Sequence, residues 1–547
     1  MHRPPDGRAG DLMGRKILFV TTDQQRYDAL GCNGNTVART PVVDRLAAEG
    51  VNYRRAYNQN SVCMPARSTM LTGQYVRTHG VVANGIPLPA DAPSVAAHLS
   101  EAGYRTALLG KAHFEPGFDL AGRFEENARV VRGDTGPWRG FDHSVQAMHA
   151  AAAVRMTRDG PEVIGPIAHY GRWMEQHHPE HLTSFAPLLS AFGGGDTNAP
   201  ETKNNPIPRE WYHTDWIADL VIEWLDTIGS DEDWFCWMSF PDPHHPWDPP
   251  ESEMQRVDWR DLDLPPGHPG SDDAIRDVLA AKPAHWLAWW DGRWQNREGG
   301  PGSFTPSVLT HDQIREINAK VHVMNELIDE ALGRVLGHID QRGWGADTDI
   351  IFTTDHGELQ GDYGFIYKGP FPTDALMRLP MVWRPAPSAG INPAEITAPV
   401  GQVDLAPTFC SIAGVPIPDW MEGAALPTSP ASPRERVLCE WDSQFPSHGM
   451  HLRTIYRDDW LCTAYQPSTD GQPTGLEQFL GDGVLTPCGI HYDGSEGELY
   501  NVADDPYQFN NLWDDAGYRS IRDDLTADLY DSLPAGRAHP LLVEGPA

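Results

Sequence analysis

The sequence is poor in cysteine and has no pattern that would pair the cysteines it contains. The seven cysteines among its 547 residues are at positions 32, 63, 236, 410, 439, 462 and 488. No two of them form a Cys-x-x-Cys pair, and the odd number leaves at least one thiol unpaired. A small domain held together by disulfides and a zinc knuckle are therefore excluded.

Long apolar runs are also missing. No stretch reaches the length of about 18 apolar residues that a membrane-spanning helix requires. Residues 1–14 are polar and rich in proline, glycine and charge, unlike the apolar region of a secretory signal. We therefore predict a soluble, cytoplasmic protein with no membrane partner and a disordered N-terminus at residues 1–14.

Positive charge is scarce. The chain has 42 Lys and Arg against 76 Asp and Glu, which gives a formal net charge of −34. Such a surface repels nucleic acids, anionic lipids and sulfated polysaccharides. We expect a small-molecule partner and no nucleic acid, and the acidity favours a neutral or cationic group on that small molecule.

Alternating strand and helix patterns predict the fold class. Residues 16–22 form a continuous apolar run, as in a buried parallel strand, and residues 40–50 have a proline at the first helical position and a closing glycine. Further strands are predicted at 104–109, 234–240, 349–354, 379–383 and 436–441, and further helices at 94–102, 211–228, 311–342 and 403–413. This order predicts an α/β fold with a mixed or parallel sheet covered on both faces.

The length predicts two domains, because one hydrophobic core rarely supports 547 residues. A proline-rich link near 420–435 divides a large domain at 15–425 from a small one at 426–547. Two loop-like insertions, at about 115–210 and 248–310, interrupt the large domain, and the second contains Trp259, Trp286, Trp289, Trp290 and Trp294. Burial of these tryptophans in a local core, or on a second copy in a homo-oligomer, is favoured over a wall that contacts substrate.

One short segment carries a specific chemical pattern. Residues 63–67 read Cys-x-Pro-x-Arg, and Leu-Thr-Gly follows at 71–73. A lone cysteine is most often a small buried hydrophobic residue, and a catalytic thiol needs a neighbour that lowers its pKa. The surrounding pattern is what makes Cys63 a candidate nucleophile.

Polar side chains follow several predicted strands at the point where each strand ends. Asp23 and Gln24 follow the first strand, and Asp355 and His356 follow the strand at 349–354. A single aspartate there is often only a helix cap, but the carboxyl ends of parallel strands meet at one sheet edge. The four residues, with residue 63, predict a site for one divalent cation. Oxygen ligands suit Ca²⁺, whereas the imidazole suits Mn²⁺.

Six ordered motifs resemble those of the type I sulfatase family of the alkaline phosphatase superfamily. They are Asp23-Gln24, residues 63–67, Gly-Lys-Ala-His at 110–113, Pro-His-His-Pro at 243–246, Asp-His-Gly-Glu at 355–358 and Tyr-Lys-Gly-Pro at 367–370. The segment 497–512 is similar to that family's small C-terminal domain. The resemblance implies an alkaline phosphatase-like α/β fold, with a large mixed, mostly parallel sheet flanked by helices and a small C-terminal α+β domain with an antiparallel sheet.

The resemblance also implies the nucleophile. A formylglycine-generating enzyme would convert Cys63 to Cα-formylglycine, and the hydrated aldehyde would attack the sulfur of a small sulfate ester. Its second hydroxyl would then expel sulfate by C–O elimination, which a serine ester cannot do. Arg67, four residues further on, would reach back to this residue and to the oxygens around the metal.

Further residues that match the family's motifs would handle the anion and the protons. Lys111 and Lys368 would bind the sulfate group. His113 would take a proton from the diol, and His244 would act as the general acid for the departing alcohol, since an ordinary imidazole pKa suits this task near neutral pH.

Gln24 and His356 depart from the Asp-Asp and Asp-Asn pairs of many sulfatases. They resemble the branch that contains choline sulfatases and phosphonate monoester hydrolases. In that branch Asn84 would contact the substrate, although its position before Gly85 is equally typical of a turn.

Lys111 and His113 resemble the sulfatase version of the site, so sulfate monoester hydrolysis is the first prediction. Hydrolysis of a phosphonate monoester or a phosphodiester by the same residue is the second. A binding protein without catalysis, in which Cys63 stays an unmodified thiol, is the third.

Overall fold

The structure is a computed structural model that describes residues 15–149, 151–189, 193–296, 304–432, 434–443, 449–467 and 490–545. The segment predicted to be disordered, 1–14, lies outside the described residues, as does Cys488. The six described cysteines are free thiols, which confirms that they form no disulfide framework.

The strands belong to four sheets. In chain order they are β1 Lys16–Thr22, β2 Val51–Tyr53, β3 Ala56–Tyr57, β4 Arg105–Gly110, β5 His143–Gln146, β6 Ala152–Thr157, β7 Gly160–Pro166, β8 Trp234–Ser239, β9 Thr348–Thr354, β10 Arg378–Leu379, β11 Met381–Arg384, β12 Ala394–Ile396, β13 Val400–Gly401, β14 Arg436–Asp442, β15 His451–Arg457, β16 Trp460–Tyr465 and β17 Gly497–Asn501.

The α-helices surround these sheets. In chain order they are α1 Pro41–Glu49, α2 Cys63–Thr72, α3 Val76–His79, α4 Val95–Glu101, α5 Glu125–Arg132, α6 Ala168–His177, α7 His213–Asp226, α8 Asp272–Ala280, α9 Ala284–Trp290, α10 His311–Gln341, α11 Asp374–Met377, α12 Leu405–Ala413 and α13 Arg519–Ser532. Among the described residues, no helix combines the length and the apolar character needed to cross a membrane.

The central sheet has eight strands in the order β12-β2-β11-β9-β1-β8-β4-β5. Strand β11 runs antiparallel to both of its neighbours, and the other neighbouring pairs are parallel. The prediction of a mixed, mostly parallel sheet is therefore confirmed.

Both faces of this sheet are covered, which explains why β1 is apolar along its whole length. Leu18 and Val20 pack with residues of α7 and α10, whereas Ile17 and Phe19 pack with residues of α2, α4 and α12. Successive side chains of a strand point to opposite faces, so a strand between two helical layers needs apolar residues at every position.

The predicted strand at 379–383 is two strands in the structure. Strand β10 pairs with β3 in a three-stranded sheet, whereas β11 joins the central sheet. Pro380 lies between them and has no N–H to continue a ladder, which accounts for the break.

The description of the two insertions as loop-like was only partly right. The first contains α5, α6, the β6–β7 hairpin and β5, which forms an edge of the central sheet, and the second contains α8 and α9. These elements are short and lie among many prolines and glycines, so their hydrophobic periodicity is interrupted.

The tryptophans of the second insertion form a core with residues of the C-terminal strands. Trp286, Trp289, Trp290 and Trp294 are buried in one cluster with Leu452 and Tyr465 of the C-terminal strands. This confirms the interpretation of these four as core residues. Trp259 is half-buried, and its indole N–H donates to Asp196 at 3.1 Å.

The C-terminal sheet has four antiparallel strands in the order β14-β15-β16-β17. Leu525 and Leu529 of α13 pack on one of its faces. The prediction of a small antiparallel α+β unit is confirmed. A domain boundary at 425/426 stays a prediction, and β14 begins ten residues after it, at Arg436.

Candidate active site

The site forms where the four neighbouring parallel strands β9, β1, β8 and β4 reach their carboxyl ends. Thr22 pairs with Thr354, and Ser239 pairs with both Thr21 and Gly110, so the four strands end at the same level. The residues that follow, among them Asp23, Lys111 and Asp355, are therefore brought to one edge of the sheet.

Four of the predicted metal ligands lie together. Asp23, Cys63, Asp355 and His356 each offer a ligand atom, and these atoms all lie within 4.8 Å of one another. All four residues are buried. Two carboxylates and an imidazole, with an oxygen in place of the sulfur of residue 63, make a donor set that fits one divalent cation.

Gln24, the fifth predicted ligand, is held beside this cluster by its neighbours. Its amide nitrogen donates to Glu358, and its amide oxygen accepts a hydrogen bond from Lys368 at 2.8 Å. Its backbone lies in the left-handed region, with φ at 63°, which few residues other than glycine adopt. The amide oxygen therefore faces the same space as the Lys368 ammonium.

Cys63 is the first residue of α2, and its sulfur lies at the centre of the site. Its Sγ is 3.1 Å from His356 Nε2, 3.4 Å from Lys368 Nζ and 3.8 Å from Asp23 Oδ1. Burial, followed by the charge of Asp23, raises the pKa of the Cys63 thiol to about 11. This direction is opposite to the lowered pKa of a cysteine that acts as a thiolate.

Asn84 contacts the same end of α2. Its side-chain oxygen accepts a hydrogen bond from the backbone N–H of Met64 at 3.0 Å. This contact supports the helix directly beside Cys63. A role for Asn84 in contacting substrate stays a prediction.

Arg67 links the two carboxylates of the cluster. Its fully buried guanidinium donates to Asp355 Oδ2 at 2.9 Å and to Asp23 Oδ2 at 3.4 Å. A third nitrogen donates to Ser239 Oγ and to the Lys111 carbonyl, both at 2.9 Å. Arg67 was predicted to reach residue 63 and the oxygens around the metal. The contacts show in addition that it is a counter-charge of both carboxylates.

The two predicted anion-binding lysines are both buried and both contact a histidine. Lys111 forms an ion pair with Asp23, and its Nζ is 3.0 Å from His149 Nε2. Lys368 Nζ is 2.9 Å from His244 Nε2, in addition to its contacts with Gln24 and Cys63.

His244 is thereby connected to the site through Lys368. Its Nδ1 contacts the carbonyl of His245, and its ring stacks on the His245 ring with centroids 4.1 Å apart. Loss of hydration, and then the charge of Lys368, lower the pKa of His244 well below its usual value. The Nδ1 atom of His245 instead lies 2.7 Å from a carboxylate oxygen of Glu201, away from Lys368.

His113 lies in the segment that follows β4. Both of its ring nitrogens are buried without a hydrogen-bond partner among the described residues. Burial, and then the charge of Lys111, lower the pKa of His113 well below its usual value. Glu126 holds the backbone here, since it accepts hydrogen bonds from three successive N–H groups, those of residues 113, 114 and 115, at 2.8, 2.9 and 3.1 Å.

Sequence reasoning did not assign a role to four of the residues that shape this site: Glu126, His149, Ser239 and Glu358. Glu358 was visible, because it ends the motif at 355–358. Ser239 lies within the strand predicted at 234–240, and nothing in the sequence distinguishes it from a core residue of that strand. Glu126 and His149 lie in the first insertion, where no motif marked them.

Comparison with known proteins agrees with this geometry. The sulfatase family model matches residues 15–415. The chain is 24% identical over 520 residues to the uncharacterized sulfatase YidJ of Escherichia coli, covering 94% of this chain and 86% of that protein. It is 23% identical over 421 residues to the choline-sulfatase of Rhizobium meliloti, covering 75% of this chain and 70% of that protein.

The fold also resembles that of solved structures. The phosphonate monoester hydrolase of Agrobacterium radiobacter superposes with a TM-score of 0.71 at 23% identity, covering 94% of this chain and 95% of that one. The large mixed sheet and the C-terminal four-stranded sheet are thus those of an alkaline phosphatase-like fold. With the family model matching 15–415 and the motif residues meeting at one sheet edge, this chain belongs to the sulfatase family.

Proposed function

We propose that this sulfatase-family hydrolase cleaves a small sulfate monoester, with residue 63 as the nucleophile. The observation that carries the proposal is the position of Cys63 at the start of α2, 3.4 Å from Lys368 Nζ and within the cluster of Asp23, Asp355 and His356. Conversion of Cys63 to formylglycine by a maturation enzyme would supply a hydroxyl that attacks sulfur.

The metal would be held by the two carboxylates, His356, the oxygen of Gln24 and the modified residue 63. When bound, a divalent cation withdraws electron density from sulfate oxygens and favours attack on sulfur. The oxygen donors suit Ca²⁺ and the imidazole suits Mn²⁺, and metal analysis of the purified protein distinguishes the two.

Lys111 and Lys368 would bind the sulfate group. Both ammonium groups are buried and contact the cluster, Lys111 at Asp23 and Lys368 at the sulfur of Cys63. Fixed positive charges in a site with little water stabilise the charge that develops on the transferred group without reorganising. The substrate anion is therefore bound where residue 63 can reach its sulfur.

His244 would supply the proton to the leaving alcohol from Nε2. Before substrate binds, Nε2 accepts a hydrogen bond from the Lys368 ammonium, so the ring is neutral. An anion bound next to Lys368 offsets the charge that disfavours protonation and raises the pKa of His244. The ring would then hold a proton at Nε2, while the unpartnered ring of His113 would accept one from residue 63.

Replacing His244 with alanine is expected to lower kcat/KM by roughly 10²-fold for an alkyl sulfate with a poor leaving group. Activated aryl sulfates should lose much less, because their leaving groups depart without a proton. Rates measured across aryl sulfates of graded leaving-group pKa test this, with His245→Ala as the matched variant. An equal loss for good and poor leaving groups would contradict the general-acid role.

Hydrolysis of a phosphonate monoester or a phosphodiester is the second candidate. Gln24 and His356 support it, since they resemble the phosphonate hydrolase branch, whereas Lys111 and His113 support sulfate. We expect kcat/KM for 4-nitrophenyl sulfate to exceed that for an aryl phosphonate monoester on one preparation whose residue 63 has been characterised by mass spectrometry. A large preference for the phosphonate would reverse the order. A residue 63 that stays an unmodified thiol in protein made together with the maturation enzyme would favour the binding protein.

Three further predictions complete the proposal. We expect a formylglycine-generating enzyme to be the maturation partner. We expect the protein to be located in the cytoplasm and to assemble as a homo-oligomer. Co-expression with the maturation enzyme, cell fractionation and light scattering measure them in turn.

A further inference from the structure

His149 is a histidine at the active site to which neither the motifs nor the family resemblance assigns a role. It follows β5, the edge strand of the central sheet. The backbone before it is anchored, because the N–H of Ala147 donates to the Gly110 carbonyl at 3.1 Å and Met148 is buried. His149 is therefore carried by a packed segment next to the start of the Lys111 loop.

The ring of His149 makes two contacts with the predicted catalytic groups. Its Nε2 is 3.0 Å from Lys111 Nζ, and its plane stacks on the His244 ring with centroids 4.0 Å apart and 16° between the planes. The same ring thus contacts one residue predicted to bind the sulfate group and the residue predicted to protonate the alcohol.

The direction of these hydrogen bonds follows from the chemistry of the lysines. An ammonium group has three donors and no acceptor, so the histidine nitrogen facing it accepts. His149 and His244 each present Nε2 to a lysine and are therefore neutral rings with the proton on Nδ1. Two neutral rings can stack in this way, whereas two imidazolium rings at 4.0 Å would repel each other.

Among the described residues, two groups accept hydrogen bonds from the Lys111 ammonium, which leaves one N–H for an anion. Asp23 and His149 accept two of its three ammonium protons. A lysine side chain has four rotatable carbon–carbon bonds, so two fixed acceptors are needed to hold the third N–H in one direction.

We propose that His149 is a positioning residue that orients Lys111 through its Nε2 acceptor and His244 through ring stacking. The proposal rests on the proposed hydrolysis of a sulfate ester. It gives the first insertion a role in catalysis, because both β5 and His149 belong to that insertion.

Two variants separate the two contacts. His149→Phe keeps the ring and removes the acceptor, so the dissociation constant for inorganic sulfate should rise about tenfold, as expected for losing a hydrogen bond to a charged group. Its kcat/KM should fall by a similar factor for 4-nitrophenyl sulfate and for an alkyl sulfate.

His149→Gln keeps an acceptor and removes the ring, so sulfate binding should stay near wild type. Its kcat/KM should fall more for the alkyl sulfate than for the aryl sulfate. His181→Phe, in the same insertion, is the control.

Calorimetry with inorganic sulfate measures binding without turnover, which separates the two proposals. If the wild type hydrolyses no sulfate ester but His149→Phe still weakens sulfate binding, the proposed function fails and the positioning of Lys111 stands. If the wild type is active and folded His149→Phe matches it in sulfate affinity and in both rates, the positioning role is overturned. A His149→Gln variant with equal losses for both esters overturns the stacking contribution.

Discussion

Replacing Cys63 with alanine is expected to lower kcat for sulfate ester hydrolysis by roughly 10⁴-fold or more, because the reaction then lacks its nucleophile. The lysines and the metal ligands remain, so substrate binding should be weakened far less than turnover. The side chain of residue 63 is small, whether thiol or formylglycine, so its replacement by a methyl group leaves only a small cavity and the free energy of unfolding should fall by about 1 kcal/mol. Steady-state kinetics and thermal unfolding measure the two effects.

Cys236→Ala is the matched control for this substitution. Cys236 is a fully buried thiol in β8, packed in the core below the site. It should show a similar loss of stability with nearly unchanged kcat. Substantial turnover by Cys63→Ala would contradict the assignment of the nucleophile.

The chemical state of residue 63 is tested on the tryptic peptide 56–67, which contains it. Protein made together with a formylglycine-generating enzyme should yield a peptide lighter than the one with cysteine, because the thiol has become an aldehyde. An unmodified thiol in that preparation would argue against both hydrolase functions.

Replacing Arg67 with methionine is expected to lower the free energy of unfolding by about 3–5 kcal/mol in the metal-free protein, since it leaves Asp355 buried without its guanidinium partner and Asp23 with the Lys111 ammonium alone. Asp23 and Asp355 are both fully buried, and Arg67 contacts both. Activity should fall sharply as well, because these carboxylates are proposed ligands of the metal. Added divalent cation should restore part of the stability, since it supplies positive charge to the same oxygens.

Denaturant unfolding of Arg67→Met, Arg67→Lys and wild type measures this effect. The lysine variant should lose less stability, because it keeps the charge but not the planar guanidinium that contacts both carboxylates. Arg132→Met is the control, since Arg132 pairs with Glu125 and Asp134 on the exposed surface, where ion pairs contribute little to stability. Equal stability of Arg67→Met and Arg132→Met would contradict the counter-charge role.

Much of the fold was predictable because its central strands carry a strong local signal. The continuous apolar run of β1 and the helical spacing of α1, with proline at its start and glycine after its end, are patterns that depend only on neighbouring residues. The insertions were described less well, because a short helix such as α9 is stabilised by tertiary packing of its tryptophans rather than by a periodic pattern of its own. The division of the predicted strand 379–383 into β10 and β11 at Pro380 was not predicted, because the effect of a proline differs between edge and central strands.

The residues of the candidate site also fall into those that the sequence identified and those that it did not. Asp23, Cys63, Asp355 and Lys368 were identified from motifs and meet in the structure as expected. Glu126 and His149 were not, because each acts on a motif residue from a segment that has no motif of its own.

The sequence by itself determined the family, the candidate nucleophile and the chemical types of the groups around it, because these depend on residue identity and order. Only the tertiary structure decided which groups touch: Arg67 between the two carboxylates, Lys368 with His244, and Lys111 with His149. The physical reason is that contacts between side chains far apart in the chain depend on the order and level of the strands and on close packing of the loops that follow them, and no local pattern encodes that arrangement.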